Sequence, residues 1–391
     1  MSLIYLDNNA TTKVDPQVLE AMLPYFKEEY ANPSSVYEFA KRSNHAVREA
    51  RGVIKDFYNA RDEKEIIFTS CGSESANTAI RGVLNMNKNK RHIITTKVEH
   101  PCVLNLYRAL EKEGYRVDYI GVNSNGELDL EQLKEAIDED TALVSVMYAN
   151  NETGVVFPIK KISEIIKSKN PETKFYVDAV QVTGKLAIDV QDLGVDLMGI
   201  SGHKFHAPKG IGALYVNSKT LITPLIIGGH QERGKRAGTE NVAGIVGFGA
   251  ACEISSKSLH EDCIWVSTLK QRFYMALTDA LKKSGRTEIG RTNGPSVLNP
   301  GKTLNLCLSG IDGQTLLLML DGKNICISAG SACRSHEAEP SHVLTAMGLT
   351  ADEARSSIRI SFSRMNTADE AVDAANIIAS CIEILANEVA K

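Results

Sequence analysis

The stretch KFYVDAVQVTGKLAIDVQDLGVDLMGISGHKFHAPKGIGALYV, residues 174–216, holds three short apolar runs: KFYVDA, DLMGIS and GALYV. Each is bounded by Gly, Ser, Pro, Asn or Asp, the residues at which a strand leaves a sheet. The same pattern continues back to about Glu65, with IIFT at 66, HIITT at 92, VDYIGV at 117 and ALVSVMYA at 142. Between several of these runs lie amphipathic stretches of helical period, VLNLYRALEKEG, LEQLKEAI and IKKISEIIKS. Alternation of this kind predicts an α/β domain whose seven strands form a mainly parallel sheet. In such sheets ligands bind beyond the carboxyl ends of the strands, so the loops after these runs are where chemistry is expected.

After about Thr239 the character changes. A long helical region, NVAGIVGFGAACEISS through LKQRFYMALTDALKK, leads into a second strand–helix series. Its strands read as TLNLCLSG, NICISAG and SIRISFS, and its helices as GQTLLLMLDG, EPSHVLTAMG and ADEAVDAANIIASCIEILANEVA. The expected division is a large domain over 14–255 and a smaller α+β domain formed by 1–13 and 256–391.

Composition narrows the function classes. The chain has 391 residues, 43% hydrophobic and 24% charged, with a net charge of −4. That balance gives no electrostatic case for binding nucleic acid or an anionic membrane. No apolar run approaches the roughly 18–20 residues needed to span a bilayer. The opening MSLIYLDNNATT lacks a basic region followed by an apolar stretch, so a cytoplasmic protein is expected. Eight cysteines stand at 71, 102, 252, 263, 307, 326, 333 and 381 without a C-x-x-C pair. Neither a disulfide scaffold nor a dedicated metal site is expected.

Three places carry candidate chemistry. Lys204 follows an apolar run directly and is flanked by Ser201, Gly202 and His203. A cofactor aldehyde needs such a strand-end amine, with hydroxyl and imidazole donors near enough to hold a phosphate; a solvated lysine is the alternative. FYVDAVQ ends a strand at Asp178 and places Gln181 three residues on. A carboxylate there can keep a pyridine nitrogen protonated and so make the ring an electron sink, or it can simply cap a helix. In IIFTSCGSESANTAIRGVL, residues 66–84, the turn Cys71-Gly72-Ser73 opens a helix whose free N–H groups and dipole would face an anion. The same residues also make an ordinary helix start. Neither a Walker A loop nor a G-x-G-x-x-G fingerprint is present.

The strings YLDNNATT, NPSS, EHP, NNETGVV, VDAVQ, SGHKFHAPKGIGALYV, RAGTEN, SAGSAC and EPSHVL occur in this order. In that series the chain resembles the class I cysteine desulfurases of the NifS/IscS type, pyridoxal phosphate (PLP) enzymes of fold type I in the aminotransferase class V group. The resemblance runs from Tyr5 to about Arg364. It implies removal of sulfur from L-cysteine to give L-alanine and a persulfide on Cys333, with sulfur passed to an acceptor protein such as an iron–sulfur scaffold. It implies that Lys204 carries PLP, that Asp178 pairs with the ring nitrogen, and that Gln181 reaches the ring hydroxyl. His100 would lie over the ring and assist proton transfers. Gly72, Ser73, Ser201 and His203 would hold the phosphate, joined by Thr239 from the second subunit of a homodimer. Asn151 and Arg359 would receive the substrate, with the Arg359 fork on its carboxylate.

The residues agree with these assignments. Arg359 interrupts the apolar strand SIRISFS; its other reading is a surface cation on an edge strand. Cys333 lies in a polar Gly- and Ser-containing stretch, the setting of an exposed loop, and Arg334 and His336 would favour its thiolate. The resemblance is imperfect at two turns. Ser73 stands where Thr is frequent, keeping the hydroxyl, and Ala207 stands where glycine is usual, which shifts the turn slightly. The chain continues only about thirty residues past Arg359, so no particular acceptor contact is carried over. No metal ligands are expected, apart from transient iron contact by a Cys333 persulfide. Selenocysteine lyase activity, a plain aminotransferase and a non-catalytic PLP-fold scaffold are the alternatives.

Overall fold

The computed structural model describes residues 2–285, 290–329 and 340–389. Seven strands form the large sheet: β1 (Ile66–Thr69), β2 (His92–Thr96), β3 (Arg116–Ile120), β4 (Thr141–Met147), β5 (Lys174–Asp178), β6 (Leu197–Ser201) and β7 (Gly212–Val216). Their order is β1-β7-β6-β5-β4-β2-β3, parallel throughout except that β7 runs against both its neighbours. Every residue of β1, β2, β4, β6 and β7 is buried, which is why these strands read as continuous apolar runs rather than as alternation.

Helices cover the sheet, among them α1 (Glu38–Phe57), α2 (Gly72–Met86) and α3 (Pro101–Lys112). One apolar core packs Ile66, Phe68, Val144, Val146, Phe175, Met198 and Phe205 against α1 and other elements; a second sits under α2 and α3 with Ala76, Ile80, Val103 and Tyr107. Val343, Leu344, Met347 and Leu349 also seat in the first of these cores, although they come from the C-terminal part of the chain.

The long helical region is a single helix, α4 (Val242–Lys283), of 42 residues and roughly 60 Å at 1.5 Å per residue. Residue 255 lies inside it. Its first half packs Phe248 edge-on against Phe205 (centroids 5.2 Å apart), and its second half packs Phe273 against Phe362 (5.7 Å). Leu269, Phe273 and Leu277 join a separate core with Ile4, Leu6, Leu304, Leu316, Ile358 and Ile382, the last from α5 (Ala368–Val389). This core backs a four-stranded antiparallel sheet of β8 (Arg291–Thr292), β9 (Thr303–Cys307), β10 (Ser328–Ala329) and β11 (Ser357–Ser361), in the order β10-β11-β9-β8. The run NICISAG is divided rather than one strand. Ile325–Cys326 pairs in parallel with Ile4–Tyr5, whereas Ser328–Ala329 pairs with β11, so the chain serves two partners on either side of Ile327. Among the described residues, no helix is long and apolar enough to cross a membrane.

The segment that carries Thr239 is fixed to the large sheet by a buried ion pair. Arg51 donates from both terminal nitrogens to the Glu232 carboxylate at 2.7 Å and also to the Ile66 carbonyl at 2.8 Å. Glu232 in turn accepts the Phe68 N–H at 3.0 Å. Both side chains are almost fully enclosed, so removing one partner leaves the other as an uncompensated buried charge. Arg51→Ala is expected to lower stability by about 3–5 kcal/mol, read from urea unfolding.

Candidate cofactor and substrate site

The carboxyl ends of β5 and β6 and the start of α2 converge, as the parallel sheet requires. Lys204 stands in the single helical turn Gly202–Lys204 just after β6. Its Nζ donates to the carbonyls of Asn9 and Ala10, both at 2.7 Å. Burial lowers this amine to about 8, helped by the nearby Arg359 charge and opposed by Asp178 and Asp7. The turn beyond it takes its left-handed residue at His206 (φ 71°) rather than at Ala207. The alanine therefore fits without strain, and Thr12 Oγ1 accepts the His206 N–H at 2.8 Å.

Asp178 ends β5 and is 6% exposed. One carboxyl oxygen accepts the Val180 N–H at 2.9 Å, and among the described residues no lysine or arginine forms an ion pair with it. Burial therefore raises its pKa, with His100 and Lys204 opposing. Such a group gains from a positive nitrogen placed beside it. His100 caps α3: its Nδ1 accepts the Cys102 N–H at 3.2 Å, and Pro101 fills the first helical position. That bond puts the proton of the neutral ring on Nε2. Desolvation by the surrounding protein depresses the His100 pKa below its usual value of 6.5, although the residue keeps contact with solvent, so the ring is neutral at pH 7.

The start of α2 has Cys71 as N-cap with no side-chain cap bond, which leaves first-turn N–H groups free. A Cβ on Gly72 would stand 2.8 Å from Val180 Cγ2, so the close approach of this turn to the segment after Asp178 requires glycine. Ser201 Oγ is buried with no partner. Ser73 is exposed at the mouth of the turn. His203 Nδ1 lies 3.1 Å from Thr11 Oγ1, and burial lowers its pKa to about 4. An unsatisfied hydroxyl, open helix N–H groups, an unpaired buried carboxyl and a depressed strand-end amine fit a phosphate-bearing pyridine aldehyde.

Arg359 is no surface cation. It is 6% exposed on β11, which has neighbours on both sides. Its Nη2 donates to Asp7 at 2.6 Å, its Nη1 donates to the Asn151 carbonyl at 3.1 Å, and its buried Nε has no partner. Asn151 is thus joined to Arg359 through its backbone. Gln181 Nε2 donates to the Asn9 carbonyl at 3.0 Å, and its Oε1 accepts from Lys185 at 3.3 Å. Thr239 is exposed on the segment following Arg236. Cys333, with Arg334 and His336, lies outside the described residues.

Sequence reasoning missed several participants. Asp7 and Asn9 stand inside the quoted YLDNNATT, yet nothing local marks Asn9 as the residue whose carbonyl receives both Lys204 and Gln181 while its Nδ2 donates to Asn151 O and Thr303 Oγ1. Lys185 and Lys302 line a cavity of about 150 Å³ together with Gln181 and Lys204. Burial lowers both amines, Lys302 to about 7.

A family model described as Aminotransferase class-V matches residues 4–374. A cysteine desulfurase from a Nostoc species is 49% identical over 367 residues, covering 94% of this chain and 90% of its own. The cysteine desulfurase IscS of Clostridium botulinum is 45% identical over 370 residues, covering 94% and 91%. A solved NifS-like protein has a TM-score of 0.90 at 38% identity, covering 98% of this chain and 100% of that one. This chain belongs to the aminotransferase class-V family, in its NifS/IscS-type cysteine desulfurase branch. Its fold is accordingly the fold type I of PLP-dependent transferases.

In cofactor-free protein, acylation of Lys204 followed by peptide mass mapping is expected to reach half its limit near pH 8. Ordinary lysines lag until about pH 10.4.

Proposed function

We propose that Lys204 carries pyridoxal phosphate and that the chain takes sulfur from L-cysteine onto Cys333, releasing L-alanine. The observation that supports this most is the Lys204 amine, lowered to about 8 at the end of β6, in a chain of the desulfurase branch. Asp178 would face the ring nitrogen, Gln181 the ring hydroxyl, and Gly72, Ser73, Ser201 and His203 the phosphate. When bound, this group supplies an aldehyde for the substrate amine and a protonated ring that draws electrons inward.

The chain's own residues do the rest. Lys204, neutral in an appreciable fraction near pH 8, takes the proton from the substrate α-carbon. His100, neutral with its proton on Nε2, assists proton movement above the ring. Arg359 offers its fork to the substrate carboxylate, in exchange for part of its bonding to Asp7 and the Asn151 carbonyl. The Cys333 thiolate attacks the substrate sulfur. A sulfur–sulfur bond forms, the carbon–sulfur bond breaks, and its electron pair stays with the carbon that is then protonated to alanine. Burial pushes up the thiols of Cys102, Cys252, Cys263, Cys307, Cys326 and Cys381, which disfavours each of them as a thiolate, and the remaining Cys71 is the N-cap of the turn assigned to the phosphate. That supports Cys333, beside Arg334, as the nucleophile.

The functional unit in this reading is a cytoplasmic homodimer in which Thr239 serves the partner's phosphate site. Phe26, Tyr30, Val36, Tyr37 and Phe39, with Leu225, Ile226 and Ile227, expose apolar surface that a second copy would cover. The domain division is 14–255 against 1–13 and 256–391, with α4 common to both and residues 343–349 seated on the large core. An acceptor protein, such as an iron–sulfur scaffold, would take the sulfur from Cys333.

Borohydride reduction of the purified protein is expected to fix a pyridoxyl group on Lys204; fixation on another lysine, or none, overturns the reading. Cys333→Ala should keep the visible cofactor band and still bind L-cysteine, yet show no persulfide by mass spectrometry. Arg359→Lys should raise the KM for L-cysteine about 10–100-fold, because one bidentate charged contact is lost.

A further inference from the structure

Glu99 precedes His100 in the turn between β2 and α3 and is 1% exposed. Its Oε1 accepts two hydrogen bonds, from Thr96 Oγ1 at 2.9 Å and from the Met147 N–H at 2.8 Å. Its Oε2 is buried with no partner. Met147 is the residue of β4 that pairs with Asp178 of β5. One carboxyl group therefore ties the end of β2 and the His100 turn to the strand beside Asp178. Asn150 reinforces the tie by donating to the Val98 carbonyl at 3.1 Å, and His342 lies 2.9 Å from the Glu99 carbonyl.

The titratable groups around Glu99 are His100, Cys102 and Tyr107 of α3, Tyr176 and Asp178 of β5, and His342. Among the described residues no lysine or arginine forms an ion pair with it. A carboxylate here would be a buried anion with one bare oxygen, set near a second buried carboxyl. A carboxylic acid keeps both observed hydrogen bonds on its carbonyl oxygen and removes the repulsion.

We infer that Glu99 is a positioning residue held as a neutral carboxylic acid, which fixes the His100 turn against the strand beside Asp178 and leaves the negative charge there to Asp178. The part of this that concerns the ring rests on the function proposed above; the protonation of Glu99 does not. Desolvation holds the Glu99 carboxyl up at about 8, with repulsion from Asp178 adding to it. The folded chain therefore keeps a proton that the unfolded chain gives up above about pH 4.5, and the stability that this proton confers is lost progressively as pH rises from there to about 8.

The test compares urea midpoints of the cofactor-loaded protein from pH 5 to pH 8.5 for the parent, Glu99→Gln and Glu99→Ala. Relative to Glu99→Gln, the parent's folding equilibrium constant is expected to fall by up to about a thousandfold across this range. Glu99→Gln should keep the visible band and its pH midpoint, and Glu99→Ala should bind the cofactor at least about tenfold more weakly. Equal pH dependence in parent and Glu99→Gln overturns the inference. So does a shift of the band's midpoint by a full unit in Glu99→Gln, which would mean that a charged Glu99 had been acting on the ring. Should Glu99→Ala fail to fold, the parent and Glu99→Gln still decide. Borohydride labelling of Lys204 in the same samples separates a failure here from a failure of the cofactor assignment.

Discussion

The site depends on an amine tied to neutral acceptors. Lys204 has two backbone carbonyls, from Asn9 and Ala10, as its hydrogen-bond partners. A carboxylate partner would stabilise the ammonium and hold its proton; carbonyls satisfy the donor without that penalty, while burial favours the neutral form. The N-terminal segment 7–12 supplies most of the scaffolding. Asp7 faces Arg359, Asn9 receives Gln181, Thr11 lies beside His203, and Thr12 accepts from the His206 backbone. A short irregular segment thus fixes the position of the Lys204 amine.

Charge is distributed with the same economy. Lys185, Lys204, Lys302 and Arg359 influence one another, while Asp7 pairs with Arg359 and Asp178 acts on Lys204 from a distance. Crowded cations in a region of low polarity shed protons more readily than they would in water. The three amines around Arg359 are lowered in this way.

Much of this was legible in the sequence. The seven strands were visible because a parallel sheet covered on both faces demands unbroken apolar runs, and IIFT, ALVSVM and LMGIS are buried throughout. Lys204 and Asp178 were visible because each directly follows or ends such a run. Arg359 stood out as a cation inside an apolar strand, and its burial bears out the anomaly. Asn9 stayed hidden because it acts through its carbonyl, which every residue possesses. Asp7 and Glu99 stayed hidden because their meaning depends on partners distant in sequence: Arg359 for the first, Met147 for the second. The split of NICISAG was illegible for a similar reason, since only the folded arrangement shows that one run has two edges to serve.

The Asp7–Arg359 contact joins residues 352 positions apart. A chain emerging from the ribosome can complete the large sheet long before it can finish this corner, because β11 comes near the end of synthesis. Lys204 and Asp178 therefore lie in chain that is made early, while the Arg359 guanidinium is made near the end.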